Sequence, residues 1–228
     1  METVTNPKLK GSSLIDAIPQ TGECPVGCAE CFYNGGRFYR TLDEPLIPSE
    51  EESVGKIVRV NSGHDSNIEK QMVLCETYWY KDKFYNTSIP NFDFPSPVVF
   101  TCNGRDLILT DDVENLMFVR FRVSTDNLEE ADRAVEHYLV KHGIPVVMTF
   151  MRYYSDPPNQ EDYEFRKSVI NDYWCLKSDK VVEIMSRWGK KTPPVRGVRM
   201  CSTPYSSFCG DCKNCEFLYH EFFRRLDE

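Results

Sequence analysis

The sequence contains no apolar run of about 18 residues, the length that a membrane-spanning helix requires. The first residues, METVTNPKLKGSS, also lack the apolar segment that follows the charges of a secretion signal. Both absences predict a cytoplasmic protein without a membrane partner. A hydrophobic content of 41% and an aromatic content of 13% are typical of a globular chain, so disorder is not indicated.

Positive charge is also scarce. The formal net charge is −8, and such a field disfavours non-specific binding of nucleic acid. Residues 190–199 are an exception, because they carry four positive charges and no negative one. They are either a solvated linker or a local basic surface, so nucleic acid is a possible partner but not a favoured one.

Histidine is rare and cysteine is abundant. The chain has four histidines, none before His64, and ten cysteines. Without a secretion signal, so many cysteines indicate metal or redox chemistry rather than disulfide bonds. Seven of them form two groups, and the other three are scattered. The first group is Cys24, Cys28 and Cys31; the second is Cys201, Cys209, Cys212 and Cys215; the scattered ones are Cys75, Cys102 and Cys175.

The first group has the spacing C-x3-C-x2-C. Three thiolates can hold three corners of an iron–sulfur cube and leave its fourth iron open for chemistry. Gly27 and Ala29 are small enough for the backbone to curl around such a cluster. The alternative is a structural zinc with a fourth ligand from elsewhere, but no second cysteine pair and no histidine lies nearby.

The second group has the spacing C-x7-C-x2-C-x2-C within fifteen residues, which is dense enough to saturate one metal site. Both zinc and an iron–sulfur cluster accept four thiolates, so both remain open. The segment that follows, EFLYHEFFRRLDE, predicts an amphipathic helix that packs Phe217, Leu218, Phe222 and Phe223 on the body of the protein.

Strands and helices alternate along the chain, and apolar runs end in polar residues. Strands are predicted at residues 12–18, 57–60, 82–91, 97–102, 115–125 and 145–154. Helices are predicted at residues 68–79, 127–143 and 160–188, the last with a possible break near Ser178, and residues 41–54 as a loop or short helix. This pattern predicts an α/β fold with a parallel sheet and functional groups at the carboxyl ends of its strands.

The cysteine triplet directly after a first strand resembles the motif of the radical S-adenosylmethionine (SAM) enzymes. The aromatic residue that usually precedes the third cysteine is replaced by Glu30, and Phe32 and Tyr33 follow instead. The resemblance covers residues 12–155 and implies a partial (β/α)6 barrel with a small cysteine-rich C-terminal extension. The implied domains are residues 1–189, the barrel, and residues 190–228, the extension with its helix.

The resemblance also implies which residues contact SAM. The cluster would be held by Cys24, Cys28 and Cys31, and SAM contacts would come from the residues that match the strand tips of the family. These are Phe32, Ser62, Gly63, His64, Thr101, Asn103, Arg120, Arg122 and Ser124. Asp65 could replace the acidic residue that usually follows the glycines. Alternatively, Arg120 and Arg122 face solvent, His64 makes only local hydrogen bonds, and Cys102 is a buried thiol rather than a hydrogen-atom donor.

The implied activity is reductive cleavage of SAM at a 4Fe-4S cluster. The resulting 5′-deoxyadenosyl radical would abstract hydrogen from an unidentified substrate, with an electron donor such as flavodoxin or ferredoxin. A second 4Fe-4S cluster, or zinc instead, would occupy Cys201, Cys209, Cys212 and Cys215. The small size favours a small-molecule substrate, and a nucleobase or nucleotide could meet residues 190–199. Two other classes remain open, a zinc-stabilised binding module and an electron carrier.

Overall fold

A seven-stranded sheet forms the centre of the computed structural model, which describes residues 6–28, 30–31, 42–102, 107–167, 172–191, 197–201, 206 and 208–227. The strands are β1 (Leu14–Ala17), β2 (Ile57–Val60), β3 (Lys83–Thr87), β4 (Val98–Cys102), β5 (Leu116–Val123), β6 (Val146–Phe150), β7 (Arg152–Tyr153), β8 (Tyr163–Arg166), β9 (Tyr173–Leu176) and β10 (Val198–Met200). The sheet has the order β1-β2-β3-β4-β5-β6-β10, and each neighbouring pair is parallel. The predicted α/β class with a parallel sheet is confirmed.

The helices are α1 (Glu50–Ser53), α2 (Lys70–Thr77), α3 (Leu128–Ala134), α4 (Ser178–Gly189), α5 (Cys209–Cys212) and α6 (Asn214–Leu226). Two of the longer helices, α2 and α3, lie where the sequence predicts them but are shorter. A π-helix, Val135–Lys141, continues α3, and short 3₁₀ turns cover Pro7–Leu9 and Gln160–Asp162. In the described part of the chain, none of the helices combines the length and apolar character that a bilayer crossing requires.

The two faces of the sheet are covered by different elements. One face packs against the helices that connect its strands, through buried residues such as Val73, Tyr138 and Trp188. On the other face, six of the seven strands, β1 to β6, each carry near their start an apolar residue that belongs to a second cluster with α6. Two positions further along each of these strands the residue is polar. It lies on the same face of the sheet as the apolar residue, because side chains alternate between the two faces along a strand. The apolar residues are Leu14, Ile57, Phe84, Val99, Phe118 and Val147; the polar ones are Asp16, Arg59, Asn86, Thr101, Arg120 and Thr149.

The predicted cysteine-rich extension contributes to this sheet. β10 belongs to residues 190–228, yet it pairs in parallel with β6 through Val198–Val146 and Met200–Met148. The sheet therefore has seven strands where the sequence pattern predicts six. In α6, Leu218 and Phe222 are buried as predicted, whereas Phe217 and Phe223 are 44% and 43% exposed.

The predicted helix at residues 160–188 is wrong in its first half. Its second half is α4, which begins at the expected break, but the first half contains β8 and β9. With β7 they form a small antiparallel sheet of order β7-β9-β8. Aromatic residues explain the difference, because Phe165 and Trp174 face each other across the strands with ring centroids 5.2 Å apart, a contact that favours sheet over helix.

Candidate functional site

A cavity of about 560 Å³ lies at the carboxyl ends of the parallel strands, on the sheet face opposite the connecting helices. Both cysteine groups line it, although they are separated by about 170 residues of sequence. The predicted site residues around the cavity are Cys24, Cys28, Cys31, Ser62, Gly63, His64, Thr101, Arg120, Arg122, Cys201, Cys209, Cys212 and Cys215. The fold thus brings most of the predicted site together.

The first cysteine loop leaves β1 and is held by backbone contacts to residues 42–46. Ile18 and Leu46 exchange hydrogen bonds of 2.7 and 2.9 Å, and the Gly22 N–H donates to the Leu42 carbonyl at 2.8 Å. Gly27 and Glu30 both have a left-handed backbone, with φ of 61° and 52°. These two positions curl the loop, as the small residues predict for the first of them. The Cys28 sulfur lies 3.8 Å from the Ser88 hydroxyl at the tip of β3.

The tip of β2 fastens this loop through His64. Its Nε2 lies 2.9 Å from the Gly22 carbonyl oxygen, and because a carbonyl only accepts, Nε2 carries the proton. In the tautomer that carries its single proton at Nε2, Nδ1 is an acceptor, and that buried atom has no hydrogen-bond partner in the described part of the chain. The side-chain oxygen of Asn61, which also lines the cavity, is likewise buried without a partner among the described residues. A ligand that donates hydrogen bonds would satisfy both atoms.

Asp65, by contrast, is fully engaged by the protein. Its carboxylate accepts from the Asn67 N–H at 3.0 Å and the Thr87 hydroxyl at 2.7 Å. It also accepts from the backbone N–H and the hydroxyl of Ser88, at 2.6 and 2.9 Å. Four donors fill the carboxylate, so its role is to join the tips of β2 and β3 rather than to replace the acidic SAM contact of the family.

Two arginines on β5 point into the cavity. Arg122 is only 3% exposed, and its guanidinium donates to the Glu30 carbonyl in the cysteine loop. Burial lowers the pKa of Arg122, and the neighbouring Cys31 and Cys28 act in the opposite direction. Arg120 donates to the Asn86 side-chain oxygen at 3.5 Å and the Thr101 hydroxyl at 3.4 Å. The alternative in which both arginines face solvent is therefore wrong.

Several predicted contacts lie elsewhere. Ser124 is not among the residues around the cavity, because β5 ends at Val123 and the chain turns towards α3. Its N–H donates to the Asn127 side chain at 2.8 Å and its hydroxyl to Asp126 at 3.2 Å. Phe32 and Asn103 fall outside the described residues.

Cys102 faces the helices on the other side of the sheet. It is 1% exposed and is part of the cluster that those helices cover. Burial raises its pKa to about 12. The buried-thiol interpretation is confirmed, and a hydrogen-atom donor at this position is not supported.

Two residues in the described ends of the basic segment 190–199 form contacts within the chain. Lys191 forms an ion pair with Asp132 at 3.0 Å, and the Arg199 guanidinium lies 4.3 Å from the centre of the Phe217 ring. Neither side chain lines the cavity. The described part of this segment therefore supports neither a nucleic-acid surface nor a phosphate contact at the site.

The second cysteine group closes the opposite side of the cavity. Cys201 follows β10, Cys209 and Cys212 are the ends of α5, and Cys215 lies in the first turn of α6. Lys213 turns the chain between the two helices with a left-handed φ of 52°.

The N-terminal segment contacts the four-cysteine group through α5. Gly210 packs backbone to backbone against Gly11, so a Cβ at Gly210 would lie 2.5 Å from the Gly11 carbonyl. The residue at this position must therefore be glycine if α5 is to stay where it is.

The electrostatic environment differs among these thiols. A hydrogen bond with Cys212 lowers the pKa of Cys201, against the effect of burial, and the positive charges of Arg120 and Lys8 add to the lowering. Burial raises the pKa of Cys215 to about 11, with Arg120 opposing it. A bound metal would be needed to keep all four as thiolates, as it does in known thiolate sites.

The spacing of the sulfur atoms bears on which group they would hold. A single tetrahedral zinc with bonds of about 2.3 Å requires sulfurs about 3.8 Å apart. Among the described residues, ligand atoms lie mutually within 4.8 Å only in the group of Asp111, His137 and His142, which is remote from the cavity. In neither cysteine group do three described sulfur atoms lie mutually within 4.8 Å. All-thiolate donor sets accept either zinc or an iron–sulfur cluster.

Several residues of the cavity lining carry no prediction from the sequence, among them Lys8, Arg59 and Arg152. Asp16 and Arg59 are paired in register on β1 and β2, and the guanidinium binds the carboxylate through two hydrogen bonds of 2.6 and 3.0 Å. A charged residue in the middle of each of two short apolar strands was a signal that could have identified this pair. Lys8 and Arg152 carry no such signal.

Comparison of the chain with known protein families, with curated proteins and with solved structures finds no match.

Proposed function

We propose that this chain is a radical SAM enzyme that uses two iron–sulfur clusters. The main support for this proposal is that both cysteine groups line one cavity at the carboxyl ends of seven parallel strands. A protein that only stabilises itself with metal has no need to face two thiol groups into a common open space, and neither does a carrier with fully ligated clusters. In this proposal the sheet is a partial barrel of the radical SAM type, enlarged by β10.

The three-cysteine group would hold the cluster that binds SAM. Its donor set leaves one coordination position without a protein ligand, as the C-x3-C-x2-C spacing predicts. When bound, this cluster would supply one electron to SAM and so generate the radical that abstracts hydrogen from the substrate. The chain's own contribution is to shape the loop through Gly27 and Glu30 and to fix it to β2 through His64 and to β5 through Arg122.

The tip of β2 offers a site for the SAM amino group. His64 Nδ1 and Asn61 Oδ1 are buried acceptors that line the cavity, and neither has a partner in the described part of the chain. An ammonium group carries only donors, so it would satisfy both. These two residues take the place of an acidic side chain, which Asp65 cannot provide. Arg122, beside Cys28 and Cys31, supplies positive charge for the SAM carboxylate.

The four-cysteine group would hold the auxiliary cluster. Four thiolates ligate a 4Fe-4S cluster completely and leave no iron for substrate, which favours electron transfer. One-electron chemistry also requires a reductant, and a flavodoxin or ferredoxin is the expected class of partner. The size of the cavity, about 560 Å³, favours a small-molecule substrate.

The proposal is tested by anaerobic reconstitution with iron and sulfide. We expect about eight irons per chain and an electron paramagnetic resonance (EPR) signal that changes when SAM is added. Cys28→Ala should lower the iron content by about four and abolish cleavage of SAM. The matched control is Cys75→Ala, because Cys75 is exposed on α2 and outside the cavity.

Two results would contradict the proposal. Zinc without iron or sulfide would leave a zinc-stabilised binding protein. Full SAM cleavage by the Cys28→Ala variant would remove the three-cysteine group from the reaction. About four irons with one zinc would retain the radical chemistry and assign zinc to the second group.

A further inference from the structure

The cavity is rich in positive charge although the chain as a whole carries −8. Its lining includes two carboxylates, Glu23 and Asp65, and six cationic side chains. The cations are Lys8, Arg59, Arg120, Arg122, Arg152 and Lys213. Asp65 is filled by four local donors and faces none of these cations in an ion pair among the described residues. The excess of positive charge is therefore concentrated where a ligand would bind.

Two of these cations lie on elements that add walls to the cavity outside the main sheet. Lys8 belongs to the N-terminal turn Pro7–Leu9, and Arg152 belongs to β7 of the small antiparallel sheet. Lys8 is accessible from the cavity yet enclosed by protein, and this enclosure lowers its pKa. Arg152 lines the same cavity and its charge adds to the lowering, whereas the thiols of Cys201 and Cys209 act in the opposite direction.

Neither charge is neutralised by a carboxylate. Arg59 is bound by Asp16 and Arg122 by the Glu30 carbonyl, but Lys8 and Arg152 form no ion pair within the part of the chain that the structure describes. Arg152 lies over the Tyr173 ring, with its guanidinium carbon 4.9 Å from the ring centre, which orients the group without neutralising it. Repulsion between like charges that line one cavity is relieved when an anion binds between them.

We propose that Lys8 and Arg152 bind an anionic oxygen group, a carboxylate or a phosphate, on a small-molecule substrate. That the anion belongs to the substrate rests on the proposed function. The cavity of about 560 Å³ is in the size range of small-molecule sites, which excludes a long polymer as the ligand. Such a group, held by the N-terminal turn and the small sheet, would place the substrate between the two cysteine groups.

The test is isothermal titration of the reconstituted protein, kept anaerobic, with inorganic pyrophosphate and with succinate. The variants are Lys8→Gln and Arg152→Gln, each expected to weaken binding by about tenfold or more, because each removes a charge-assisted hydrogen bond. Lys8→Arg keeps the charge and should retain binding. The matched control for Lys8 is Lys10→Gln, two residues further along the chain and outside the cavity lining. The matched control for Arg152 is Arg166→Gln on β8, whose guanidinium pairs with Glu164.

The two probes separate the two kinds of anion. Tighter binding of pyrophosphate assigns a phosphate, tighter binding of succinate assigns a carboxylate, and either supports the inference. Equal affinity in all variants, or no binding of either probe, would overturn it and leave these cations as compensation for the charge of the clusters. Cleavage of SAM in the same preparation separates the proposals: SAM cleavage without anion binding refutes only the inference, and anion binding without SAM cleavage refutes only the proposed function.

Discussion

At the scale of single residues, the pair of Asp16 and Arg59 shows how the chain places charge inside an apolar sheet. Asp16 is 2% exposed and Arg59 is 8% exposed, and they meet across β1 and β2 with bidentate geometry. Asn6 adds a hydrogen bond to Asp16 at 3.4 Å. A buried carboxylate is tolerated only when it is paired in this way, so the two residues depend on each other.

We predict that Arg59→Met destabilises the fold by about 3–5 kcal/mol, because it leaves the Asp16 carboxylate buried without its cation. The double variant Asp16→Leu/Arg59→Met should recover much of that loss, since it removes both charges and fills the space with apolar groups. Urea denaturation of the three proteins measures both effects. A double variant as unstable as the single one would show that the pair matters for packing and not for charge.

At the scale of elements, α5 depends on one close backbone contact. The turn at Lys10 and Gly11 leaves no room for a side chain at Gly210, where the nearest atoms would be 2.5 and 2.6 Å from a Cβ. This contact sets the position of Cys209 and Cys212 relative to Cys201.

Gly210→Ala should therefore displace α5 and reduce the metal content of the four-cysteine group, while the three-cysteine group remains loaded. Iron analysis would show a loss of about four irons per chain if a 4Fe-4S cluster is bound there. Gly189→Ala is the control, because a Cβ at the end of α4 meets nothing within 4 Å and alanine favours helix. Unchanged iron in the Gly210 variant would mean that the backbone yields without cost to the site.

The helices α3 and α4 are joined by Asp132. Its carboxylate accepts two hydrogen bonds from Arg187, at 2.7 and 3.0 Å, and forms an ion pair with Lys191 at 3.0 Å. Partial burial raises the pKa of Asp132, but hydrogen bonds from Arg187 and Lys191 outweigh it and hold the pKa below the ordinary value of 3.8.

A carboxyl group with a lowered pKa in the folded state stabilises the fold above its ordinary pKa, and this contribution is lost as the pH falls through the folded value. We predict that Asp132→Asn lowers the free energy of unfolding by about 1 kcal/mol at pH 7, and that this difference shrinks as the pH falls below 3.8 and disappears once the pH is below the lower folded pKa. Denaturation curves across this range measure it. Glu136→Gln on the exposed side of the π-helix is the control, expected to change stability little at either pH.

Much of the main sheet was predictable because strands buried on both faces read as continuous apolar runs. Six of its strands were identified in this way, with the polar tips that line the cavity. β10 was missed because Val198, Arg199 and Met200 are too short and too polar a stretch to show a pattern. β8 and β9 lie where the spacing predicts a helix, because their aromatic pairing across strands is a tertiary effect that spacing along the chain does not show.

At the site, the cysteines were predictable because their spacing is local, whereas their joint cavity was not. Lys8 and Arg152 could not be identified, because nothing in the sequence around either residue distinguishes it from an ordinary surface charge. Only the fold shows that both line one cavity. Ser124 was assigned to the site because the alternation of Arg120 and Arg122 was continued past the end of β5.

At the scale of the whole molecule, the chain brings two thiol groups from opposite ends of its sequence to one cavity. A space of about 560 Å³ is roughly 10 Å across if it is compact, so clusters on its walls would be near neighbours. Electrons could then pass between them without a further carrier.

We predict that the fully reduced protein shows magnetic interaction between the two clusters, seen as broadening or splitting of the EPR signal. Cys28→Ala and Cys212→Ala, which each remove one cluster, should both give simple spectra. Because the intact protein contains both spins, its spectrum should differ from the sum of those two. A spectrum equal to that sum would place the clusters too far apart to share the cavity.

The contact between Ser13 and Glu216, 203 residues apart, has a consequence for the order of events during folding. Contacts between such distant segments form late, because the intervening chain must first be organised. During synthesis the three-cysteine loop leaves the ribosome long before α6 exists to cover the inner face of the sheet. We therefore expect the three-cysteine group to be accessible to delivery proteins, and to oxygen, until α6 has been made, while the four-cysteine group can be completed only after Cys215 has been added to the chain.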